Sequence, residues 1–515
     1  MIEVEPGNFK FTVRFSWDGA KFSSINFKRR KDQHEPDSDV EDDLSIINGL
    51  TSSDFSNLSS KNTEPPTKKL KREDNVGKFN LVSFNYCVLK ITDIDKNTDV
   101  WEETNAASPL CNRVLAVIKK EETVKNIKPF YRNWEEDIKH LIESGARFRH
   151  GEEMSHFSVE AMMVGDGKTD AALLGSTGGF CQLCLLSKEE AHTVSVIRDG
   201  DFPVRTLDGC WSTYCSLDKD EDGSVISHPE DYDTRKGQKQ EPMALCIPPL
   251  CFGVTHQLIH DMESFFKLAV HIHAGYLCFV ETKEWKPVLK KSESVLQTEL
   301  LKEGLRINFP DPAGGNSNRG NTSRKFFTPR VRDVLCLILG TRAGVPMEMV
   351  RSFSLLHQRV SVYLRVISCD QKIDLAKFKN FCTQTYVMLL ERFSWFVLSP
   401  TLHKIIHAAD VLAKTTAEPG SHLGTGGKKI SEEAQESSNK STAYSIDHEC
   451  FTGSMKSVLS GILVKNRVRT DPGVKSFNPE KKCSACGDHN HNVRSCDKFS
   501  DLSSDDIMFR QFIVK

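Results

Sequence analysis

The chain has 515 residues, enough to bury more than one hydrophobic core, which predicts roughly two to four domains. With 68 basic and 70 acidic residues the formal net charge is −2, so the overall charge does not indicate a nucleic-acid partner, although a local basic face is compatible with it. Met1–Lys10 has no apolar signal core, the 16 cysteines are scattered or paired as Cys-x-x-Cys, and no membrane-spanning apolar stretch is present. This composition argues against a secreted disulfide-rich protein and a membrane protein, and favours a reduced, intracellular, metal-binding chain.

The first predicted element is a β-strand at Phe9–Trp17, where apolar and polar residues alternate. It is expected to end in a turn at Asp18. From about Arg30 to Gly77, Ser, Asp, Asn and Pro dominate, which predicts a disordered insertion. The basic segment Pro65–Arg72 within it is typical of a nuclear import signal, and a solvated run of charges is the alternative.

Further strands are predicted at Phe79–Thr92, around Val100 and at Phe157–Val164, with a helix at Phe130–Ser144 before the last of them. The last strand runs into Asp166, which is followed by glycine, as the first strand runs into an aspartate and a glycine. Two predicted strands therefore end in the same dipeptide.

From Cys181 onward the apolar spacing is mostly helical. A Gly-rich loop is predicted at Gly420–Lys429, and a short helix near Ser431. The segment Phe252–Tyr276 contains four histidines but is typical of a packed helix rather than of a metal or haem pocket. The clearest further helices are predicted at Leu258–Leu277, Val331–Leu339, Val387–Val397 and Thr401–Ala413.

Asp18, Asp166 and Glu436 are candidates for a set of catalytic carboxylates, because two follow predicted strands and the third lies on the predicted short helix. Carboxylate oxygens suit Mg²⁺, and two such ions roughly 4 Å apart stabilise both the attacking and the leaving oxygen of an in-line displacement at phosphorus. On spacing alone the signal is weak, since most Asp-Gly pairs in a chain with 70 acidic residues are ordinary turns.

Two pairs of metal-ligand residues stand far apart in the chain, Cys181-x-x-Cys184 and His403-x-x-x-His407. Thiolate sulfur and imidazole nitrogen are the usual zinc ligands, and histidines at i and i+4 share one face of a helix. Taken separately, the cysteine pair is also compatible with a redox motif or a chance pairing, and the histidine pair with a helix surface.

Near the end of the chain, Cys483, Cys486, His491 and Cys496 have the Cys-x2-Cys-x4-His-x4-Cys spacing of a zinc knuckle, with His489 as an alternative ligand. A compact set of this kind rarely arises by chance, so a zinc site is predicted here. Zinc knuckles contact single-stranded or flanking nucleic acid, and a protein-binding role is the alternative.

The polar segment Asn316–Lys325 is a candidate contact for DNA phosphates through Arg319, Arg324 and Lys325. Such side chains donate to phosphate oxygens and fix the position of a duplex without reading its bases. An ordinary polar loop followed by the start of a helix is the alternative.

Four sequence blocks, in order, resemble a known family. FKFTVRFSWDGA at Phe9–Ala20 resembles the first catalytic strand of the V(D)J recombinase catalytic subunit, and VGDGKTDAALLG at Val164–Gly175, followed by CQLC, resembles the segment with the second aspartate and the zinc pair. GGNSNRGNTSRKFF at Gly314–Phe327 is similar to a signature of Transib transposases, and SEEAQESSNK at Ser431–Lys440 to the block with the catalytic glutamate. The similarity covers most of Phe9–Phe477 outside the predicted insertion.

The resemblance implies an α/β fold, with an RNase H-like mixed sheet, a large helical zinc-binding insertion and a C-terminal CCHC zinc knuckle. The implied domains are 1–180 for the catalytic core, 181–425 for the helical insertion, 426–475 for the catalytic helix and those after it, and 476–515 for the knuckle tail.

By the same resemblance, Asp18, Asp166 and Glu436 form the catalytic triad, with Asp170 and Glu433 as alternatives for its second and third positions. The distant cysteine and histidine pairs then form one Zn²⁺ site that attaches the insertion to the core. The implied activity is Mg²⁺- or Mn²⁺-dependent nicking of DNA, followed by strand transfer or hairpin formation. The implied protein is a nuclear homodimer that works with or without an accessory recombinase subunit.

The chain departs from the family at its start, because the first catalytic strand begins within ten residues of Met1, where the family has a region that binds DNA ends. We therefore expect a fragment, a degenerate copy, or recognition of DNA ends elsewhere. A catalytically inactive nucleic-acid-binding protein is the main alternative function, and a protein-interaction scaffold is the other.

Overall fold

The computed structural model describes about two thirds of the chain. The described residues are 7–22, 79–103, 106–108, 111–118, 123–150, 153–177, 179–221, 225–226, 236–275, 283–308, 318–341, 345–416, 422–435, 461, 463–466, 468, 470 and 504–514. The predicted disordered insertion, with its basic segment Pro65–Arg72, lies outside these residues.

The first part of the chain forms a mixed β-sheet. Its strands are β1 (Asn8–Phe22), β2 (Phe79–Asp93), β3 (Thr98–Glu102), β4 (Arg113–Ile118), β5 (Ala146–His150) and β6 (Glu153–Val164). The strand order is β3-β2-β1-β6-β5, and β4 also pairs with β2. β1 and β6 run parallel, whereas the other pairs are antiparallel. Together with the helices that follow, this sheet makes the fold a mixed α/β fold.

The first strand is longer than predicted. The sequence indicated a turn at Asp18, but β1 continues to Phe22, and its register with β2 extends from Phe9 to the pairing of Phe22 with Phe79. The long antiparallel partner supplies hydrogen bonds to the backbone beyond Asp18, so local turn propensity does not decide where the strand ends. Asp18 therefore lies inside a strand, opposite Ser83.

Aromatic side chains of α1 (Val124–Ser144) pack on the two central antiparallel strands. The Trp134 ring lies 4.8 Å from Phe15 and the Tyr131 ring 5.0 Å from Trp17, both in edge-on contacts. The helix begins before the predicted Phe130, because the Thr123 side chain accepts a hydrogen bond from a backbone N–H of the first turn. This layer buries one part of the hydrophobic core.

The rest of the described chain is mainly helical. A two-stranded sheet of β7 (Lys372–Asp374) and β8 (Leu423–Thr425) joins the helices, and short 3-10 helices occur at Lys404–His407 and Gly427–Ile430. The helices are α2 (Gly167–Leu174), α3 (Lys188–Ala191), α4 (Val194–Asp199), α5 (Leu207–Cys215), α6 (Val254–Ala274), α7 (Lys286–Lys302), α8 (Gly320–Phe326), α9 (Pro329–Thr341), α10 (Met347–Ser368), α11 (Leu375–Arg392), α12 (Pro400–His403), α13 (Ala408–Thr416) and α14 (Ser504–Arg510).

The predicted helices are present with different limits. The helix predicted from Val387 is α11, which begins at Leu375 because Asp374 caps it by accepting a hydrogen bond from the backbone N–H of Lys377 at 3.0 Å. The helix predicted from Leu258 is α6, which is packed along most of its length. Of its histidines, His271 is buried, whereas His256 and His260 are partly exposed.

The single helix predicted at Thr401–Ala413 is instead three pieces, because a 3-10 turn at Lys404–His407 separates α12 from α13. The whole turn is buried. Contacts to the surrounding elements, rather than helix propensity, therefore set its tighter geometry. The two histidines sit on either side of the change from α to 3-10 helix, not on one regular helix.

In the described part of the chain, besides a small cluster that includes Cys87 and Leu89 of β2, the core has two main hydrophobic clusters, one between the sheet and α1 and a larger one around α6, α10 and α11. Leu183 packs at the edge of both clusters, so the loop after α2 lies where they meet. Among the described helices, none combines the length and the hydropathy that crossing a membrane requires.

Candidate functional site

The structure brings together the distant cysteine and histidine pairs. Cys181 and Cys184 lie in the loop after α2, His403 ends α12, and His407 ends the following 3-10 turn. One ligand atom from each residue lies within 4.8 Å of the other three, and all four residues are buried. Two sulfur and two nitrogen atoms at this spacing can hold one metal ion in a tetrahedral arrangement.

Tyr386 of α11 orients the His403 ring. Its hydroxyl donates to the backbone oxygen of Ala191 at 3.2 Å and lies 3.1 Å from His403 Nδ1. Because the hydroxyl has a single proton, it accepts a hydrogen bond from Nδ1–H, which leaves the electron pair on Nε2. Nε2 is the atom that lies 3.4 Å from Cys184 Sγ. The nitrogen that faces the cysteines is therefore the one that can bind a metal.

In this Cys/His cluster, Cys181 and His403 are held in the forms that bind a metal, whereas the hydrogen bond with Cys181, together with burial, raises the pKa of the Cys184 thiol. Burial raises the pKa of the Cys181 thiol, but hydrogen bonds from Cys184 and His407 outweigh it and hold that pKa well below its usual range. Burial lowers the pKa of His403 to about 4, so its imidazole is neutral near neutral pH. Thiolate and neutral imidazole are the forms that coordinate metal ions. The two histidines beside the thiols favour a metal site over a redox pair.

Two of the predicted catalytic acids come at matching positions after the last paired residues of two adjacent strands. The parallel register of β1 and β6 pairs Ser16 with Val164, and Asp18 and Asp166 each come two residues later. Asp166 follows the end of β6 after one residue, Gly165, whereas Asp18 is inside β1 with its side chain outside the described part of the structure.

Asp166 is half-buried and caps α2. Its carboxylate accepts a hydrogen bond from the backbone N–H of Thr169 at 2.7 Å. The residue lines a cleft of about 610 Å³, whose wall also includes apolar side chains. A carboxylate beside cationic side chains is a suitable place for a phosphate ester and a divalent cation. The basic residues of the cleft are Lys168, Lys239, His256 and His260.

Buried Arg14 of β1 binds the segment that leads to the third predicted acid. Its guanidinium donates to the backbone oxygens of Lys429 at 2.7 Å, Ser431 at 2.8 Å and Ala106 at 3.0 Å. Several carbonyl acceptors offset the cost of burying this charge. β1 is thus joined to the start of the helical turn at 433–435.

Glu436 lies outside the described residues, but the residue before it is bound at the sheet. Gln435 Oε1 accepts hydrogen bonds from Ser16 at 3.1 Å and Asn112 at 3.0 Å, and its Nε2 donates to Ser83 at 2.9 Å. Ser83 is the strand partner of Asp18. The side chain of Gln435 is therefore bound at the strand position opposite Asp18.

The alternative acids have other contacts. Asp170 is completely buried, and burial raises its pKa to about 7, against the opposing charge of Lys404, which lies 3.6 Å away. Glu433 forms an ion pair with Arg324. Asp166 lines the cleft and Asp170 does not.

Glu432 is a buried acid that the sequence did not single out. Its carboxylate accepts hydrogen bonds from the backbone N–H and from Nδ1 of His256, both at 2.9 Å. Burial raises the pKa of Glu432, but these hydrogen bonds outweigh it, so the pKa is lowered. No spacing in the sequence connects a glutamate with a histidine so far away, so only the fold reveals this pair.

The three basic residues predicted to contact DNA lie at α8. Arg319 precedes the helix and is exposed, while Lys325 donates to the backbone oxygen of Gly304 at 3.1 Å. Through its ion pair with Glu433, Arg324 links α8 to the turn before Glu436. The predicted knuckle ligands Cys483, Cys486, His491 and Cys496 lie outside the described residues.

Comparison of the sequence with protein-family models gives no match, and comparison with curated proteins gives none either.

Proposed function

We propose that the chain is an endonuclease and strand transferase that acts on DNA with two aspartates and a glutamate, like the Transib transposases and the V(D)J recombinase that it resembles. The observation that carries the proposal is the backbone arrangement where β6 ends beside β1. Asp18 and Asp166 each lie two residues after Ser16 and Val164, the last pair of the parallel strands β1 and β6, and Gln435, the residue before Glu436, binds at Ser16 and Ser83.

We also propose that the sheet is an RNase H-like core. A central β1 that is antiparallel to β2 and parallel to β6 supports this assignment. The helices between Cys181 and β8 would then be the insertion that separates the second acid from the third.

In the proposed reaction, water adds to phosphorus and the bond to the 3′ oxygen breaks, which leaves a 3′-hydroxyl and a 5′-phosphate. That hydroxyl then attacks a phosphate of the opposite strand, giving a hairpin, or of a target strand, giving transfer. In both cases the bond from that phosphorus to the 3′ oxygen of the attacked strand breaks, which releases a new 3′-hydroxyl. Mg²⁺ or Mn²⁺ held by Asp18, Asp166 and Glu436 would activate the attacking oxygen and stabilise the leaving one. The half-buried carboxylate of Asp166, a hard oxygen donor at a basic cleft, fits such an ion.

We propose Zn²⁺ as the ion of the Cys/His cluster. Two thiols and two imidazoles, all buried, match a closed structural site that binds no substrate. The predicted CCHC knuckle would hold a separate Zn²⁺.

DNA would lie along the cleft beside Asp166, with Lys168 and Lys239 near its phosphates and Arg319, Arg324 and Lys325 further along. As the resemblance implies, we also propose a homodimer that works with or without an accessory recombinase subunit. The basic segment Pro65–Arg72 supports a nuclear location.

The test is nicking of supercoiled plasmid DNA by the purified chain in the presence of Mn²⁺ or Mg²⁺. We expect conversion to the open circular form, with nicks that DNA ligase reseals because they carry a 3′-hydroxyl and a 5′-phosphate. Asp18→Ala, Asp166→Ala and Glu436→Ala are each expected to reduce nicking to background. Asp333→Ala, at a side chain that is 77% exposed on α9, is the matched control and should cut like the wild type.

Equal behaviour of the wild type and the three variants would exclude the enzyme. Salt-sensitive DNA binding that persists in all of them would then identify a catalytically inactive nucleic-acid-binding protein.

A further inference from the structure

Asp170 and Lys404 form a buried ion pair between the segment of the Cys/His cluster and α2, the helix that Asp166 caps. Lys404 Nζ lies 3.6 Å from Asp170 Oδ2, and their side chains are 6% and 0% exposed. Within the described part of the chain, neither carboxylate oxygen of Asp170 has a hydrogen-bond partner. Lys404 is therefore the charge that compensates a carboxylate whose burial alone would be costly.

Each partner is next to a different site along the chain. Lys404 follows His403 directly and belongs to the 3-10 turn that ends at His407. Asp170 is one helical turn after Asp166 on α2, so the two acids share one short rigid element. The ion pair thus joins the metal-ligand segment to the helix that Asp166 caps.

The metal-ligand segment is also held from the side of α6. Gln257 Nε2 donates to the backbone oxygen of Thr401 at 2.9 Å and to Asp261 Oδ1 at 2.9 Å. With Cys184 in contact with His403, residues 400–407 are bound between α6 and the cysteine loop. Lys404 extends from this bound segment to α2.

We infer that Lys404 and Asp170 are positioning residues, through which the Cys/His cluster orders α2 and sets the position of Asp166. Apolar residues of similar volume often stabilise a core at least as well as a buried ion pair, so stability alone does not explain this one. The inference rests on the proposed function only for the role of Asp166. The coupling between the cluster and α2 does not require DNA cleavage.

Amide hydrogen exchange of α2 in the full chain, loaded with Zn²⁺, tests the coupling. We expect Cys184→Ser, and chelation of Zn²⁺ from the wild type, to speed exchange in Gly167–Leu174 about tenfold, because the bound segment loosens. Lys404→Met should speed it similarly with Zn²⁺ still bound. In Asp170→Leu/Lys404→Met, which removes both charges from the core, Zn²⁺ should bind while α2 no longer responds to its removal.

Arg332→Met is the matched control, because Arg332 and Asp505 form another buried ion pair, at 2.7 Å, between α9 and α14. It should destabilise the chain without changing exchange in α2. For DNA nicking, Lys404→Met should raise the Mn²⁺ concentration at half-maximal rate about tenfold and leave the rate at saturating Mn²⁺ unchanged, which a general loss of stability would not do.

The inference would be overturned if neither removal of Zn²⁺ nor Lys404→Met changed the rate of amide exchange in α2. It would also be overturned if Arg332→Met raised that rate as much as Lys404→Met does. If α2 responds as expected but the wild type cuts no DNA, the coupling stands and the proposed function fails.

Discussion

At the scale of single residues, His357 shows how an aromatic environment fixes a charge state. Its ring lies 5.1 Å from that of Phe327 and 5.4 Å from that of Phe326, and Phe265 and Phe353 complete the surroundings. Burial, assisted by the nearby charge of Arg332, lowers the pKa of His357 to about 3. The folded protein therefore holds this histidine neutral at pH values where the unfolded chain protonates it.

This difference gives a pH-dependent stability. Because the folded pKa of about 3 lies below the unfolded value of 6.5, unfolding takes up a proton between these pH values. The contribution is complete above pH 6.5 and is lost as the pH falls towards 3. As the pH falls from 6.5 towards 3, we expect His357→Phe to gain stability relative to the wild type by about 1.4 kcal/mol per pH unit.

Urea denaturation of both proteins at a series of pH values measures this difference. His422→Phe, at an exposed position, is the control and should leave the pH dependence unchanged. A His357→Phe variant whose stability runs parallel to that of the wild type down to pH 4 would contradict the assignment.

Asp166 and Asp170 show what the sequence could not decide at this scale. Both are acidic and lie one turn apart, so either could be the second acid of the motif. The two acids differ in their surroundings because one side of α2 is buried. Asp166 lines the cleft, whereas Asp170 forms an ion pair with Lys404 in the interior. A choice that depends on tertiary burial cannot be read from spacing.

At the scale of elements, three segments meet at Gly253. It precedes α6, and a Cβ added there would lie 2.5 Å from Glu432 Oε1 and 2.8 Å from the backbone oxygen of Gly165. The side chain of Glu432 takes the place of a capping residue by accepting the backbone N–H of His256 in the first turn of α6. The end of β6, the start of α6 and the turn before Glu436 can approach this closely because residue 253 has no side chain.

We therefore expect Gly253→Ala to push these segments apart. The backbone at Gly253 has φ −75°, which alanine adopts readily, so the effect comes from crowding. A loss of about 1–3 kcal/mol in the free energy of unfolding is expected, together with weaker DNA nicking. Urea denaturation and the plasmid assay measure the two effects.

Gly340→Ala is the control for this substitution. Its nearest contact would be Met347 Cε at 3.7 Å, and it lies inside α9, so alanine should leave stability unchanged or raise it by up to about 1 kcal/mol. If Gly253→Ala is as stable and as active as the wild type, the close approach at Glu432 has no energetic importance.

The periodicity of apolar residues in the sequence predicted the helices and strands whose burial follows a regular pattern. It missed strands that form only because they pair with a neighbouring strand. The alternation in β1 and β6 and the apolar spacing of α6 identified these elements before their limits were known. β5 has the polar sequence ARFRH and is a strand because it pairs with β6 at the edge of the sheet. α10 carries helical spacing that a longer scan could have found.

At the scale of the whole molecule, the site is assembled from segments far apart in the chain. Cys184 and His403 are 219 positions apart, and Ser16 and Gln435 are 419 apart. Composition and spacing gave no way to join such segments, and the family resemblance alone suggested which of them meet. The fold brings the Cys/His pairs together and binds Gln435 at β1. The contacts of Lys404 with Asp170 and of Glu432 with His256 arise from tertiary packing alone.

Residues 504–514 bind back onto the helical part of the molecule. Phe512 packs with its ring 5.0 Å from Phe381 and 5.8 Å from Phe378, and its backbone oxygen accepts the N–H of Asp374 at 2.8 Å. Ile513 forms a β-bridge with Ile373 of β7, whose partner β8 precedes the chain that leads to Gln435. Residues 504–514 are therefore linked through β7 and β8 to the chain that leads to Gln435.

We expect Phe512→Ala to lower the free energy of unfolding by about 3–5 kcal/mol, because it leaves a cavity at a side chain that is 2% exposed. Ile507→Ala on α14 is the control, since that side chain is 64% exposed and its loss should cost well under 1 kcal/mol. Chemical denaturation of both variants and of the wild type provides the comparison. Equal denaturation midpoints for the two variants would mean that residues 504–514 lie on the surface without contributing to the core. Their link to β7 would then not stabilise the chain that leads to Gln435.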